Sequence, residues 1–478
     1  MFPMLWLALH FHDLALQVFA PSSEAPFAVG SPGQRPAILA ANGTALALGV
    51  RPGMAVSAAR ALAPGLILQP RNPRREAEAL DGIATWALQF TPDLSLAPPE
   101  AVLLEIGGCL KLFGSLERLL ERVRAGLLDL GLAAVPAVAP TPTGAQLLAR
   151  AALELSVADT AALHRHLAAL SLDCLDQSRD VLSGLSHLGL RTLGDCMALP
   201  RAGLARRFGP ALLDELDRAW GHMGDPRTLF TLPEHFTASL ELTAPVAEVE
   251  ALLFGVKRLV TALCGWLAAR NAGVRRLTLA LAHERRVATP IPLALTTPQR
   301  DGAHLLALLR ERLARQDLAD GVVGLELRAD ETAQLLPLNF SLFGDRERIR
   351  SDCLNLVERL QARLGPEAVS GLALYPEHRP ELAWRESPPG TTPGTAVFPM
   401  RPVWLLARPR SLSGHIDAPW LAGPMTLLAG PERIESGWWD GAPVRRDYYQ
   451  AQTASGTRCW VYLELGNPSR WFLHGLFA

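Results

Sequence analysis

Apolar positions alternate along residues 4–11 and predict a buried strand, followed by a short helix start over 13–20 with Asp13 as its N-cap. Four prolines (Pro21, Pro26, Pro32, Pro36) make residues 21–36 a loop. An alanine-rich stretch follows, with Asn42-Gly43 as a turn and 49–54 as a helix stop. Helical spacing returns over 74–89, a strand over 101–106 ends in Gly107-Gly108, and Leu119, Leu120, Val123 and Leu127 give 116–130 one apolar face. A strand at 134–139 leads into a helix at 144–155. This order predicts a ferredoxin-like α/β layer interrupted near its start by a small insert.

Residues 160–230 read as helices with short turns. Mixed patterning resumes with a strand at 237–243, a helix at 246–270, a strand at 274–282, a helix at 300–316 and a strand at 321–328, a second βαββαβ-like unit. A helix at 346–365 precedes a Pro-, Gly- and Trp-rich stretch with short strands at 402–408 and 459–464. The expected class is α+β, with several domains in 478 residues.

Composition narrows the picture only a little. Apolar residues make up 49% and charged residues 19%, enough for sizeable cores. The formal charge of -1 gives no global nucleic-acid signal, so any DNA contact must come from local basic stripes. Six scattered cysteines without CxxC or zinc spacing fit a reducing, cytoplasmic compartment. The apolar start lacks a basic n-region and no uncharged apolar run is long enough for a membrane span, so neither a leader nor a membrane association is expected.

Several words are specific. They are 373–380 (ALYPEHRP), 430–434 (GPERI), 437–441 (GWWDG), 446–449 (RDYY) and 471–477 (WFLHGLF). With the order of elements over residues 4 to about 345, they resemble the Y-family translesion DNA polymerases, nearest the ImuB type. The resemblance implies a right hand with a C-terminal extension: palm over 1–20 and 74–158, fingers over 21–73, a helical thumb with a helix-hairpin-helix over 159–232 and a little finger over 233–338. A clamp-binding linker at 339–345 and a partner-binding region at 346–478 would follow.

Nucleotidyl transfer needs two divalent metals held by converging carboxylates. The family word V-D-M-D-x-F-F aligns with 9–15 and places His10 at the ligand aspartate and Ala15 at the steric gate. S-x-D-E aligns with 98–101, where Glu100 takes the aspartate position and Ala101 the glutamate position. On the fingers, N-Y-E-A-R becomes Asn42-Gly43-Thr44-Ala45-Leu46, which removes a tyrosine and an arginine that grip phosphate; Arg150 keeps a basic group where the family has lysine. An inactive palm is expected, with no cofactor. Asp13, Glu100 and Glu105 are the carboxylates from which a rearranged metal site could be built. His10 and His12 form an HxH pair that suits zinc in spacing but is more often an ordinary strand end, and no metal is assigned.

For DNA, Gly184, Gly189, Arg191, Arg206 and Arg207 lie in a helix, Gly-turn, helix pattern that could hold a phosphate or be a plain helical hairpin. Arg275-Arg276 and Arg285-Arg286, with Lys257-Arg258 and Arg270, are candidates for a basic stripe, one of each pair per sheet face. Asn339-Phe340-Ser341-Leu342-Phe343 resembles the Q-L-x-L-F peptide of bacterial sliding-clamp binders, with Leu342 and Phe343 as anchors. The expected role is a non-catalytic adaptor in translesion synthesis and SOS mutagenesis. The resemblance implies primer-template DNA, the sliding clamp, a RecA-like ImuA partner and an error-prone C-family DNA polymerase as partners. An active translesion polymerase with rearranged ligands, and a protein scaffold that does not touch DNA, are the alternatives.

Overall fold

A computed structural model describes residues 4–19, 25–33, 35–318, 321–335, 346–389, 391, 400–466 and 468–477. The chain divides into two compact units, Met1–Asp345 and Arg346–Ala478. The clamp-like word at 339–343 lies outside the described residues.

The first unit is built on an antiparallel sheet ordered Leu94–Ala97, Ala101–Glu105, Trp6–His10, Val135–Ala139. Leu5, Leu7, Leu9, Val102 and Leu104 pack beneath the helices Pro73–Ala87 and Leu116–Asp129. Trp6, Ala8, Ala101 and Leu103 face the helix Pro142–Arg150 and the helices beyond it. Both faces are therefore covered, and all five residues of Trp6–His10 are buried. This is the ferredoxin-like strand order expected. The helix expected over 144–155 stops at Arg150, because Ala152 turns left-handed (φ 57°) and the chain folds back to pair with Val138.

The insert differs from expectation. Phe27–Gly30 is the middle strand of a small sheet, between Ile38–Ala41 and Ile67–Pro70, inside what the prolines had marked as loop. Asn42-Gly43 is not a turn but the start of the helix Gly43–Ala47. The Asn42 side chain accepts from Ala45 N (3.0 Å) and Phe27 N (2.9 Å) and donates to Ala25 O (2.7 Å), tying helix and strand together. Asp13 stands at the N-cap position of Leu14–Gln17, but its side chain makes no capping bond.

The second βαββαβ run comprises Thr237–Val246, Val249–Ala269, Ala272–Ala282, Thr289–Gln299, Gly302–Leu313 and Val322–Gln334. Its strands lie in the order 289–299, 272–282, 322–334, 237–246, all antiparallel. Leu277, Leu279, Leu281, Leu325 and Leu327 are buried, while Arg276, Thr278, Ala280, Glu326 and Arg328 between them are open or partly open. The strand Thr289–Gln299 carries Pro290 and Pro292, which an edge strand tolerates. Val249–Ala269 is long and apolar enough by composition to cross a membrane, yet half of that stretch is buried within the fold. Much of that burial is against Pro73–Ala87. Trp86 lies so close that a Cβ at Gly265 would come within 2.8 Å of it, and one at Gly126 within 2.3 Å.

The second unit holds a five-stranded antiparallel sheet ordered Trp404–Ser411, Arg470–Leu476, Arg458–Glu464, Val444–Gln452, Thr426–Ser436. Only parts of two of these strands were legible in the sequence.

Candidate functional site

Strand register decides what the sheet around Trp6–His10 can do. His10 stands directly opposite Ala101, so the two positions where the resemblance expects carboxylates hold an imidazole and a methyl group. His10 Nε2 lies 3.7 Å from Glu100 Oε2. Burial, together with the nearby His12 and Arg150 charges, pushes the His10 imidazole down to about 4, so a neutral ring faces the carboxyl at neutral pH. Burial also raises Glu100 above the usual carboxylate range, against the pull of Arg71. His12 Nε2 lies 3.1 Å from the Arg150 carbonyl, and the Arg150 guanidinium donates to Cys174 O at 3.0 Å.

The three acids of the alternative site are not brought together. Glu105 sits four residues down the strand, opposite Trp6, roughly 13 Å away. There its Oε1 accepts from Leu5 N and Gly107 N. Asp13 is exposed beyond the strand end. Among the described residues, no group of three or more His, Cys, Asp or Glu side chains could hold a metal ion. The two magnesium ions that the resemblance implies do not fit these residues: imidazole is a poor ligand for a hard cation, and Ala101 offers none.

The insert shows the same change. Gly43 has open space around it, Leu46 is exposed, and Arg51 turns back onto the carbonyls of Leu46 and Val50. Ala15 packs beside Leu16, Phe19 and Phe27. The sequence reading missed Arg71, whose guanidinium makes a forked pair with the buried Glu76 (2.9 and 2.6 Å) at the start of Pro73–Ala87. An acid on the buried face of that helix was the available signal.

The DNA candidates sort unevenly. Gly184 lies within Arg179–His187, where the Phe208 ring would meet a Cβ at 2.8 Å, so it serves packing rather than a turn. Gly189 is a turn residue with φ 83° and open space. The amides of Arg191 and Thr192 beside it are already taken by Asp195 Oδ2 (2.8 and 2.9 Å) in a capping box. Arg191, Arg206 and Arg207 are exposed.

In the second sheet, Arg276 opens to solvent 3.8 Å from Glu331, and Arg328 lies 3.8 Å from Asp330. That face is mixed in charge rather than a basic stripe. Arg285 and Arg286 are not on a strand but in the connection between 272–282 and 289–299, where Arg286 donates to Asp317 O. Arg275 and Arg285 are exposed, with no acidic partner among the described residues. Lys257 pairs with Asp129 (2.7 Å), and Arg270 lies over Trp266. These two serve packing within the unit.

Residues 16–150 match the model of the impB/mucB/samB family. Protein ImuB of Caulobacter vibrioides (strain NA1000 / CB15N) is 27% identical over 459 residues, covering 90% of this chain and 100% of that protein. The chain resembles ImuB over nearly its whole length. DNA polymerase IV of Shewanella oneidensis is 28% identical over 243 residues, 49% of this chain and 66% of that one. A solved insertion ternary complex of Dbh DNA polymerase aligns with 70% of this chain and 100% of its own at 19% identity, with a TM-score of 0.39.

The ImuB-like words of the C-terminal third converge in space. Glu377 and Arg379, from the first word, are buried beneath the 437–441 turn. Arg379 donates to Glu377 Oε2 (2.9 Å), to both oxygens of Asp440 (3.1 and 2.5 Å) and to Ala442 O. The Arg379 guanidinium and amide, with the Ser436 hydroxyl, hold Glu377 down at about 2. Arg446 bridges Glu381 (2.8 Å) and the Tyr448 hydroxyl (3.1 Å), and the hydroxyl meets His474 Nδ1 at 2.8 Å. The aromatics divide accordingly. Tyr448, Trp460 and Trp471 are core, whereas Trp438 and Trp439 stand 73% and 57% exposed on the turn that Arg379 braces.

Proposed function

We propose that this chain serves translesion synthesis as a non-catalytic Y-family homologue, an adaptor that engages primer-template DNA and the sliding clamp and brings a separate error-prone C-family polymerase to the lesion. The observation that carries the reading is the register of His10 against Ala101, which puts no convergent carboxylates at the end of the central strand. Similarity to ImuB supports the mutagenesis context, and the exposed Arg206, Arg207, Arg275 and Arg285 support DNA contact. A RecA-like ImuA partner would dock on the C-terminal unit, where Trp438 and Trp439 offer aromatic anchors.

Primer extension by the full chain, with magnesium and then manganese, tests the claim beside a Glu100→Ala control. Absence of extension together with a gel shift on the same substrate is expected. Extension that disappears in Glu100→Ala would refute the non-catalytic role. For the clamp, loss of pull-down on changing Leu342 and Phe343 to alanine is expected, and retained binding refutes that word.

A second reading, a protein scaffold that leaves DNA alone, draws on Asp195 occupying the Arg191 and Thr192 amides and on the mixed charge beside Arg276. Salt-dependent DNA binding separates the two.

A further inference from the structure

Where Val249–Ala269 meets Pro73–Ala87, the first unit leaves a cleft of about 440 Å³. Ile83, Leu132, Phe236 and Ala262 give it apolar walls, and its charged lining is mixed: Arg75 and Arg258 with Glu78, Asp81 and Glu241. We propose that this cleft binds a small ligand that carries one oxyanion, a carboxylate or a phosphate, on an apolar body, with Arg258 as the residue that holds the anion.

The cations around the cleft differ in what they already hold. Arg75 is committed to Glu241 and lies over the Phe19 ring. Lys257 is committed to Asp129 at 2.7 Å. Arg258 has no hydrogen bond or ion pair among the described residues, although much of its side chain is withdrawn from water. No carboxylate is close enough to act on it: burial alone depresses its pKa. Asp81, on the same wall, is raised by its own burial and by Glu78, not lowered by a cation.

The position of Arg258 is fixed from the other side. Its guanidinium lies across Gly131, where a Cβ would come 3.3 Å from Nε, just past the end of Leu116–Asp129. The negative end of that helix favours a cation there but supplies no hydrogen-bond acceptor to this one. The Arg258 nitrogens are not sealed from water, but the partly withdrawn guanidinium has no protein acceptor among the described residues, and a carboxylate or phosphate satisfies two of its donors at once. The cleft is at the small end of the range for ligand sites, and its apolar walls suit the body of such a ligand. Arg258 was a candidate for the basic DNA stripe, but here it lines a cleft with apolar walls rather than an open sheet face, and the site does not involve His10.

The test is calorimetric titration of the full chain with phenyl phosphate, benzoate and inorganic phosphate at matched ionic strength. Saturable binding of phenyl phosphate or benzoate is expected, with inorganic phosphate at least tenfold weaker because it lacks the apolar body. Preference between the first two identifies the anion. Arg258→Gln is expected to lose at least tenfold in affinity, and Lys257→Gln to lose none. Should Arg258→Gln not fold, Ala262→Leu narrows the cleft without touching the charge and is expected to weaken phenyl phosphate by a similar factor. Three results overturn the proposal: no saturable binding by the unaltered chain in the millimolar range, inorganic phosphate binding as well as the aromatic anions, or undiminished affinity in folded Arg258→Gln or Ala262→Leu.

Discussion

Two stretches of this chain run strand, helix, strand, strand, helix, strand, yet they make different sheets. In the first, the opening strand Trp6–His10 lies inside the sheet, and helices cover both faces. In the second, the opening strand Thr237–Val246 lies at the edge, and only one face of the sheet is packed beneath helices. Element order thus fixes neither strand order nor the number of covered faces. Consequences for chemistry follow from the cover. A doubly covered sheet can act only at its strand ends, where His10 and Ala101 sit, and a substitution there alters a buried site. A singly covered sheet can display charge along its whole length, as Arg276 and Arg328 do.

Breaking the junction between the two should cost most. Trp86→Ala removes the ring wedged between Gly126 and Gly265 and is expected to destabilise the chain by about 3–5 kcal/mol. Urea denaturation measures it, and a loss below about 1 kcal/mol would mean that the two sheets do not depend on this contact.

Next comes acid. The folded His10 titrates near 4, below the ordinary 6.5, so the unfolded chain binds more protons in between. Its contribution is fully present above pH 6.5 and is lost as pH falls towards 4, by up to about 3 kcal/mol. Denaturation midpoints between pH 4 and 7 should therefore fall less steeply in His10→Gln than in the parent. Equal slopes would show that His10 is not desolvated.

On the second sheet, Arg275→Glu with Arg285→Glu should weaken DNA binding roughly tenfold at moderate salt and flatten its salt dependence. Arg276→Gln should matter less, because Glu331 already faces that cation. An unchanged double variant, measured by fluorescence anisotropy, would remove this region from the DNA path. Smallest of all, Thr278→Val on the open face loses a 2.6 Å hydrogen bond to Asp330 at a solvated position. A stability change within about 0.5 kcal/mol is expected, and a larger one would mean the face is covered.

What could be seen in the sequence follows from the same physics. Period-2 and helical spacing located Trp6–His10, Leu116–Asp129 and the second βαββαβ run, because burial on a regular element leaves a regular pattern. Thr289–Gln299 was hidden by prolines that only an edge position permits. Most of the C-terminal sheet was hidden because its strands are irregular, with register shifts at Leu405–Arg410 and Leu427–Glu432. At the candidate site, the facing of His10 and Ala101 could be approached from the words alone. Of the Arg71–Glu76 fork only the acid on the buried helix face could be read; its partner needs the angle between the insert and the helix after it. The Thr192–Asp195 box was readable as a helix start, and reading it would have shown that the turn amides were already occupied.

The hydrogen bonds of Asn42 to Phe27, Ala25 and Ala45 bear on how this protein ages. An asparagine followed by glycine is the pair most prone to spontaneous deamidation, because the glycine nitrogen readily attacks the side-chain amide. Here that amide is held from both ends and Gly43 is locked into a helix, so the attack geometry is denied while the insert stays folded. Conversion to aspartate would also set an acceptor against the Ala25 carbonyl, where a donor now sits. Isoaspartate at position 42 in a stored sample would therefore record how often the insert had opened.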